Sequence, residues 1–493
     1  MKTATTRVFD PMITYVSGGL TVAFVLVSLL FPTWMEAAVN TAFSWTTTSL
    51  GWLYIVTVFV MTVGCLVMML GPWGRKKLGL PDSQPEYSNL MWFGMLFGSA
   101  IAAGIAFWGP AEPIYHYKTV PPFFTADPET PKAAVAAMTQ SFFHWGLSVW
   151  AIYVALAIPM AHASFTKGLP LRFSTAFYYL LGDKINGPVG KVIDIFAVIA
   201  TMGGLATTTG LTAIQVVSGL KYQFGLDLGD SAGYVVIAVF TAIFTTAVYT
   251  GLQKGVKVMN QLNLILFVGV FLYIFVFGPK LFFLELGLQS GGEYLASFVS
   301  LSLFTMPGED KGWLGSWTVF YWAWWMSWAP FVSIFVARVS KGRSIKSLVM
   351  ACMLLPSLAN FLWYTVVGGA GIHFNISDVL DQHGLEAAIF GLIQHYPLTA
   401  VVGVVVMALV AMLFLTSANS AAVSLAMFVS GHEQPHRLLS AFWALALGGV
   451  AMVLCGAGNL KSIQTASILS AVPMIFLLIM ALVSSFKGID INE

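Results

Sequence analysis

The chain has 493 residues, 58% of them hydrophobic and 9% charged, with a formal net charge of +2. Soluble globular domains carry about 25% charged residues, so the composition excludes that class and implies a polytopic membrane protein. The basic residues fall in short loops and offer no nucleic-acid surface, and Cys65, Cys352 and Cys455 each sit inside an apolar run, which argues against a disulfide framework or a cysteine metal cluster.

Lys2, Arg7 and Asp10 precede a long apolar run that reads as a first spanning helix and lacks the pattern of a removable signal peptide. Windows long enough to cross about 30 Å of hydrocarbon recur twelve times: 11–32, 50–71, 88–111, 133–164, 190–219, 232–250, 258–279, 314–337, 345–370, 398–430, 437–456 and 462–486. Residues 281–312 read as an amphipathic helix at the membrane surface, and 383–397 as a second short surface helix. With a cytoplasmic amino terminus, seventeen of the 23 Lys and Arg fall inside. The positive-inside rule then places both termini in the cytoplasm of a plasma-membrane protein.

The third window (Gly94 to Pro113) is studded with Gly and small residues, either to break the helix or to let neighbours pack closely. The fourth contains His144-Trp145-Gly146 followed by Trp150 and Tyr153, which share one face. His144 is either a proton relay or a hydrogen-bonded structural residue. The eighth window carries Trp317, Trp322, Trp324, Trp325 and Trp328 within the seventeen residues 315–331, ahead of Pro330. Trp317, Trp324 and Trp328 fall on one helical stripe, Trp325 beside it and Trp322 farther round. Such indoles are either lipid-facing and core residues, or π-faces for a quaternary ammonium ion held by cation–π attraction.

The third and eighth windows lie five helices apart and cross in opposite directions. Two interrupted helices of opposite polarity point to a five-plus-five inverted repeat with a site at the midplane. The implied units are 1–87 (tail and two peripheral helices), 88–280 (first repeat), 281–313 (amphipathic connector), 314–486 (second repeat) and 487–493 (tail). In the tenth window Thr416 and Ser417 either ligate Na⁺ with freed carbonyls or bond back to their own helix; Thr201 and Thr207 to Thr209 carry the same ambiguity. Acidic groups are nearly absent from the spans, Asp194 and Glu112 lying near helix ends, so a zwitterion fits better than a bare cation. An intramembrane enzyme would need convergent His, Asp, Glu or Cys at depth, and no such set is evident in the sequence. The tails are too short for the signalling domain of a receptor.

The run GSWTVFYWAWWMSWAPFVSIFVARVSKGRSI resembles the signature of the betaine/carnitine/choline transporter family, and Gly109 to Pro113, 144–153 and 416–420 extend the resemblance over nearly the whole chain. The resemblance implies a LeuT-like all-α fold of about twelve helices, commonly a homotrimer, with no bound cofactor. It places an aromatic box for a trimethylammonium group at Trp145, Trp150, Tyr153 and Trp325, and puts Trp324 and Trp328 on the path to the cytoplasm. Backbone N–H groups at Ala102, Ala103 and Gly104 would meet the substrate carboxylate. A sodium site is implied at Thr416 and Ser417 with carbonyls of Gly98, Ile101 and Leu413, and parts of a second at Thr201 and Phe331. Leu205 and Asn419 depart from the family pattern there, the first for a hydroxyl and the second for a frequent Asp. The resemblance implies Na⁺-coupled uptake of a glycine betaine or carnitine type of substrate. Sodium-independent exchange of carnitine-like compounds, or uptake of choline or a sulfonium zwitterion, are its alternatives. The long charged tails of osmosensing members are absent, so little activation by hyperosmotic stress is expected.

Overall fold

The computed structural model describes residues 9–490 except 101–102, 227, 230, 252, 432–433 and 457–459; of 97–100, 103, 253–257 and 456 it describes the backbone. Among the described residues the protein is all α, the only β pairing being a single bridge between Lys77 and Ser344. In order, the helices are α1 (Pro11–Leu30), α2 (Pro32–Leu70), α3 (Asn89–Ala100), α4 (Ala103–Lys118), α5 (Pro131–Trp145), α6 (Leu147–Lys167), α7 (Pro188–Phe224), α8 (Ala232–Thr250), α9 (Gln253–Phe277), α10 (Lys280–Ser302), α11 (Gly312–Val339), α12 (Ile345–His373), α13 (Thr399–Ser430), α14 (Arg437–Gly456), α15 (Leu460–Ser470) and α16 (Val472–Gly488). Their ends follow from local chemistry. Asp10 Oδ1 accepts the backbone N–H groups of Met12 and Ile13, and Thr130 and Ser344 cap α5 and α12 in the same way. Gly225 terminates α7 in the left-handed conformation that glycine adopts without strain.

The twelve expected windows resolve differently in detail. Among the described residues ten helices are long and apolar enough to span, and α15 with α16 makes an eleventh span bent by 40°. The third window is shared between α3 and α4, which flank residues 101–102. The fourth is split at Gly146 into α5 and α6. By contrast, the expected interruption of the eighth window at Pro330 does not occur, because α11 runs through it to Val339. A proline costs that helix one N–H donor, and tight packing on every side tolerates the loss. The first turns of α11 (Gly315–Val319) are instead π-helical. Of the stretch 281–312, residues up to Ser302 are helical as α10. The second expected surface helix is not one element: Ser377–His383 is followed by a turn and by Ala388–Ile393, which is buried throughout. Its apolar residues pack beneath α4 and α7 instead of lying on the membrane.

Burial ranks the helices. The apolar windows of α5–α6 and α11 are 94% and 83% buried, against 28%, 33% and 22% for α1, α8 and α9. The aromatic segments therefore form the centre, with apolar helices around them. The segment after α2 ties the start of α3 to the end of α11. Leu78 N–H donates to Arg343 O (2.7 Å) and Gly342 N–H to Leu78 O (2.8 Å). The Arg343 guanidinium lies 4.4 Å over the Trp92 ring and bonds Asn89 Oδ1 and Tyr87 O.

Candidate functional site

All five tryptophans of the α11 run are buried, which removes the lipid-facing reading. Trp322 is an ordinary core residue, edge-on to Phe143. Trp317 packs with Trp108, Tyr115 and His116 toward the start of the helix. Trp324, Trp325 and Trp328 come together with Trp145, Trp150 and Tyr153 around one cavity of about 30 Å³, which Gly104, Val149, Val332 and Asn360 complete. No charged side chain lines it. The rings touch one another: Trp324 stacks on Trp325 at 4.9 Å, Trp145 meets Trp325 edge-on at 4.8 Å, and Trp150 meets Tyr153 at 5.7 Å.

Gly146 builds this geometry. It separates α5 from α6 with φ −95° and ψ −144°, and a Cβ there would meet Phe142 O at 2.5 Å and the Tyr294 hydroxyl at 2.8 Å. Ending α5 here withdraws the last carbonyls from helical bonding. The Trp325 indole N–H donates to His144 O (3.1 Å), and Asn360 Nδ2 donates to Trp145 O (2.8 Å). A broken helix on one side thus fixes a tryptophan on the other. Gly104 has a matching role on α4, since any side chain there would strike the Trp324 ring (2.3 Å).

Behind Trp145 lies a fully buried carboxylate. Glu112 accepts hydrogen bonds from Trp145 Nε1 (2.9 Å) and the Tyr321 hydroxyl (2.5 Å) on Oε2, and from His144 Nδ1 (2.6 Å) on Oε1. With that proton on Nδ1, His144 Nε2 accepts from Thr318 Oγ1 and Gln140 Nε2, both at 3.0 Å. His144 is therefore a hydrogen-bonded structural residue. Glu112, His116 and His144 place one ligand atom each within 4.8 Å of one another, so the convergent set that the sequence did not reveal does exist. It does not line the cavity, and its carboxylate is occupied by three donors. It also corrects the expectation that no acid approaches the aromatic cluster: Glu112 is one hydrogen bond behind it. His116 stands 3.7 Å from Glu112 Oε1, and neither of its ring nitrogens has a hydrogen-bond partner among the described residues.

The other expected positions are distributed as follows. Ala102 and Ile101 lie outside the described residues; Ala103 opens α4, and Gly98 lies in α3. Thr416 is buried, and its hydroxyl bonds back to Met412 O (3.0 Å) and Leu413 O (3.1 Å) while accepting Asn263 Nδ2 (2.9 Å). Ser417 is half-buried. Thr201 is buried with its hydroxyl unpartnered, and Phe331 packs edge-on against Trp328 at 5.9 Å. Among residues the sequence reading missed, Asn360 is a single amide in its apolar window, while Asn263 follows Asn260 and Gln261 in its own. An amide at membrane depth is the signal that could have found them.

Comparison with known proteins decides what this arrangement belongs to. The profile described as "BCCT, betaine/carnitine/choline family transporter" matches residues 12–493. The chain belongs to the betaine/carnitine/choline transporter family. A "probable glycine betaine transporter" of Desulfitobacterium hafniense is 40% identical over 484 residues, covering 96% of each chain. The glycine betaine transporter OpuD of Bacillus subtilis is 36% identical over 477 residues, 96% of this chain and 93% of that one. The betaine/ectoine transporter LcoP of Corynebacterium glutamicum is 34% identical over 499 residues, 98% and 78%. Membership in this transporter family agrees with an aromatic cavity at the centre of a multi-pass helical protein.

Proposed function

We propose that the chain is a plasma-membrane secondary transporter of a trimethylammonium zwitterion, glycine betaine first, moved by Na⁺ symport with alternating access. One observation carries the substrate class. Six aromatic side chains and no charge line the central cavity, and the indole N–H groups of Trp150 and Trp328 are buried without a hydrogen-bond partner among the described residues. A buried indole N–H normally finds an acceptor. Aromatic faces for a quaternary ammonium and two free donors for a carboxylate match the two ends of such a zwitterion. The names of the relatives point to the same class, with ectoine as a further zwitterion. Entry of the head group requires Trp145, Trp324 and Trp325 to part, since a 30 Å³ cavity cannot hold it. That is the motion alternating access would supply, and the excess of Lys and Arg in alternate loops supports a cytoplasmic position for both termini.

The experiment is competition uptake into proteoliposomes with betaine, carnitine, choline and a sulfonium analogue, with and without sodium. Betaine should compete best and choline, lacking the carboxylate, poorly; preference for choline would overturn the zwitterion reading. Sodium coupling rests on Thr416 and Ser417, and Thr416→Ala with Ser417→Ala should raise the half-saturating Na⁺ concentration. The back-bonded state of Thr416 favours a second reading, a sodium-independent exchanger, and full-rate uptake in sodium-free buffer would establish it in place of symport.

A further inference from the structure

One side chain of the aromatic cavity has no use in holding a trimethylammonium group. Asn360 of α12 is the only amide among the residues that line it. It is buried in an apolar window, where an amide is costly unless its polar groups are bonded.

The amide is held in one orientation. Asn360 Nδ2 donates to Trp145 O (2.8 Å). A carbonyl accepts only a donor, so this contact turns the nitrogen toward the Gly146 break and leaves Oδ1 on the other side of the amide. One turn on, Trp363 Nε1 donates to Ile105 O (3.2 Å) and Tyr364 packs on Trp145 at 5.3 Å. This face of α12 is thereby fixed against α4 and α5. Among the described residues no N–H or O–H donates to Asn360 Oδ1. The Asn263 and Asn419 oxygens are also unpartnered but fully enclosed, whereas Asn360 borders the cavity.

The other polar groups of the lining are donors. The indole N–H groups of Trp150 and Trp328 have no partner among the described residues, and the Tyr153 hydroxyl can donate as readily as accept. Asn360 Oδ1 is the one side-chain carbonyl. A trimethylammonium head has no N–H and meets this oxygen with methyl groups alone, which leaves a buried acceptor unpaired at a cost. A protonated secondary or tertiary amine brings the same charge to the π-faces and adds an N–H for Oδ1. Such a hydrogen-bonding group discriminates between ligands more sharply than an apolar wall discriminates by one methyl.

We infer that Asn360 selects the head group: the aromatic cavity also takes zwitterions whose ammonium keeps an N–H, such as N,N-dimethylglycine, with that proton donated to Asn360 Oδ1. The inference rests on the proposed zwitterion class for this cavity and widens it by one kind of head group. The carboxylate uses the same two indole N–H groups, and the remaining methyls use the same rings. A hydrogen bond from a charged donor is about twice as strong as a neutral one, which offsets the methyl contact that dimethylglycine lacks.

The test is equilibrium dialysis of the full chain in nanodiscs against radiolabelled glycine betaine and, separately, radiolabelled N,N-dimethylglycine, read as the ratio of the two affinities. The wild type should bind both, within about tenfold of each other. Asn360→Leu removes the amide at similar volume. The bond to Trp145 O is lost for both ligands and cancels in the ratio, so dimethylglycine should lose at least about tenfold more affinity than betaine. Asn360→Asp loses the same donor but keeps an acceptor, and should preserve dimethylglycine relative to betaine; it decides the question if the leucine variant does not fold. An unchanged ratio in Asn360→Leu, or a selective loss of dimethylglycine in Asn360→Asp, would overturn the role of Oδ1. Saturable betaine binding without dimethylglycine binding would overturn the inference and leave the proposed betaine site standing. Dimethylglycine binding alone would overturn the trimethylammonium assignment and leave Asn360 as the acceptor, and binding of neither would overturn both.

Discussion

Trp325→Leu is expected to abolish saturable betaine binding while the protein stays folded. A cation–π contact in a desolvated site contributes about 2 kcal/mol or more, which is roughly thirtyfold in affinity. The substitution also removes the N–H that donates to His144 O at the Gly146 break. Trp325→Phe removes the same hydrogen bond and keeps a smaller π-face. The two variants therefore differ mainly in the aromatic face, and Phe should retain measurable binding where Leu does not. Equal loss in both would assign the effect to the hydrogen bond or to shape. Asn360→Ala supplies the control, because it removes the other donor to the same break without touching a ring; it should weaken binding least of the three. Thermal unfolding of the purified variants checks that the fold is kept.

The aromatic clustering around the central cavity was legible because it is written in rare residues at short range. Trp324, Trp325 and Trp328 sit on adjacent turns of one helix, and Trp150 and Tyr153 on adjacent turns of another, so helical periodicity alone puts each group on a face. What brings the two faces together was not legible. Gly146 in an apolar run reads as a tolerated small residue, and only its ψ of −144° reveals that α5 ends there and offers two carbonyls across the bundle. Glu112 was visible as an acid near a helix end. Its partners, however, lie 32, 33 and 209 residues away in sequence, beyond any local pattern. Pro330 misled in the other direction. Proline breaks isolated helices, but α11 is packed on nearly every face and carries the defect without a break. Val149 and Val332 line the cavity with side chains indistinguishable in sequence from those facing lipid.

Loss of Glu112 should be the most damaging single change behind the box. Its carboxylate gathers three donors from two other helices: His144 Nδ1 and Trp145 Nε1 of α5 and the Tyr321 hydroxyl of α11. Glu112→Ala leaves all three buried without an acceptor, at about 1–3 kcal/mol each. A loss of several kcal/mol is large against the 5–15 kcal/mol by which folded domains are typically stable. We expect Glu112→Ala to give little folded protein, seen as early elution or aggregation in size-exclusion chromatography. Glu112→Gln is predicted to behave differently, for a reason found in the next shell of contacts. The glutamine oxygen can keep Trp145 and Tyr321, which turns its amide N–H toward His144. His144 can then move its proton from Nδ1 to Nε2 and accept at Nδ1. The displaced proton has somewhere to point: Gln140 Oε1 is buried without a partner, and an amide flip turns that oxygen toward Nε2. The donors of Trp145, Tyr321 and His144 are thereby satisfied and the fold is kept, but the negative charge behind Trp145 is gone. Glu112→Gln should therefore purify as a stable protein with weakened betaine affinity. A Glu112→Ala protein as stable as the wild type would show that the carboxylate does not organise the box.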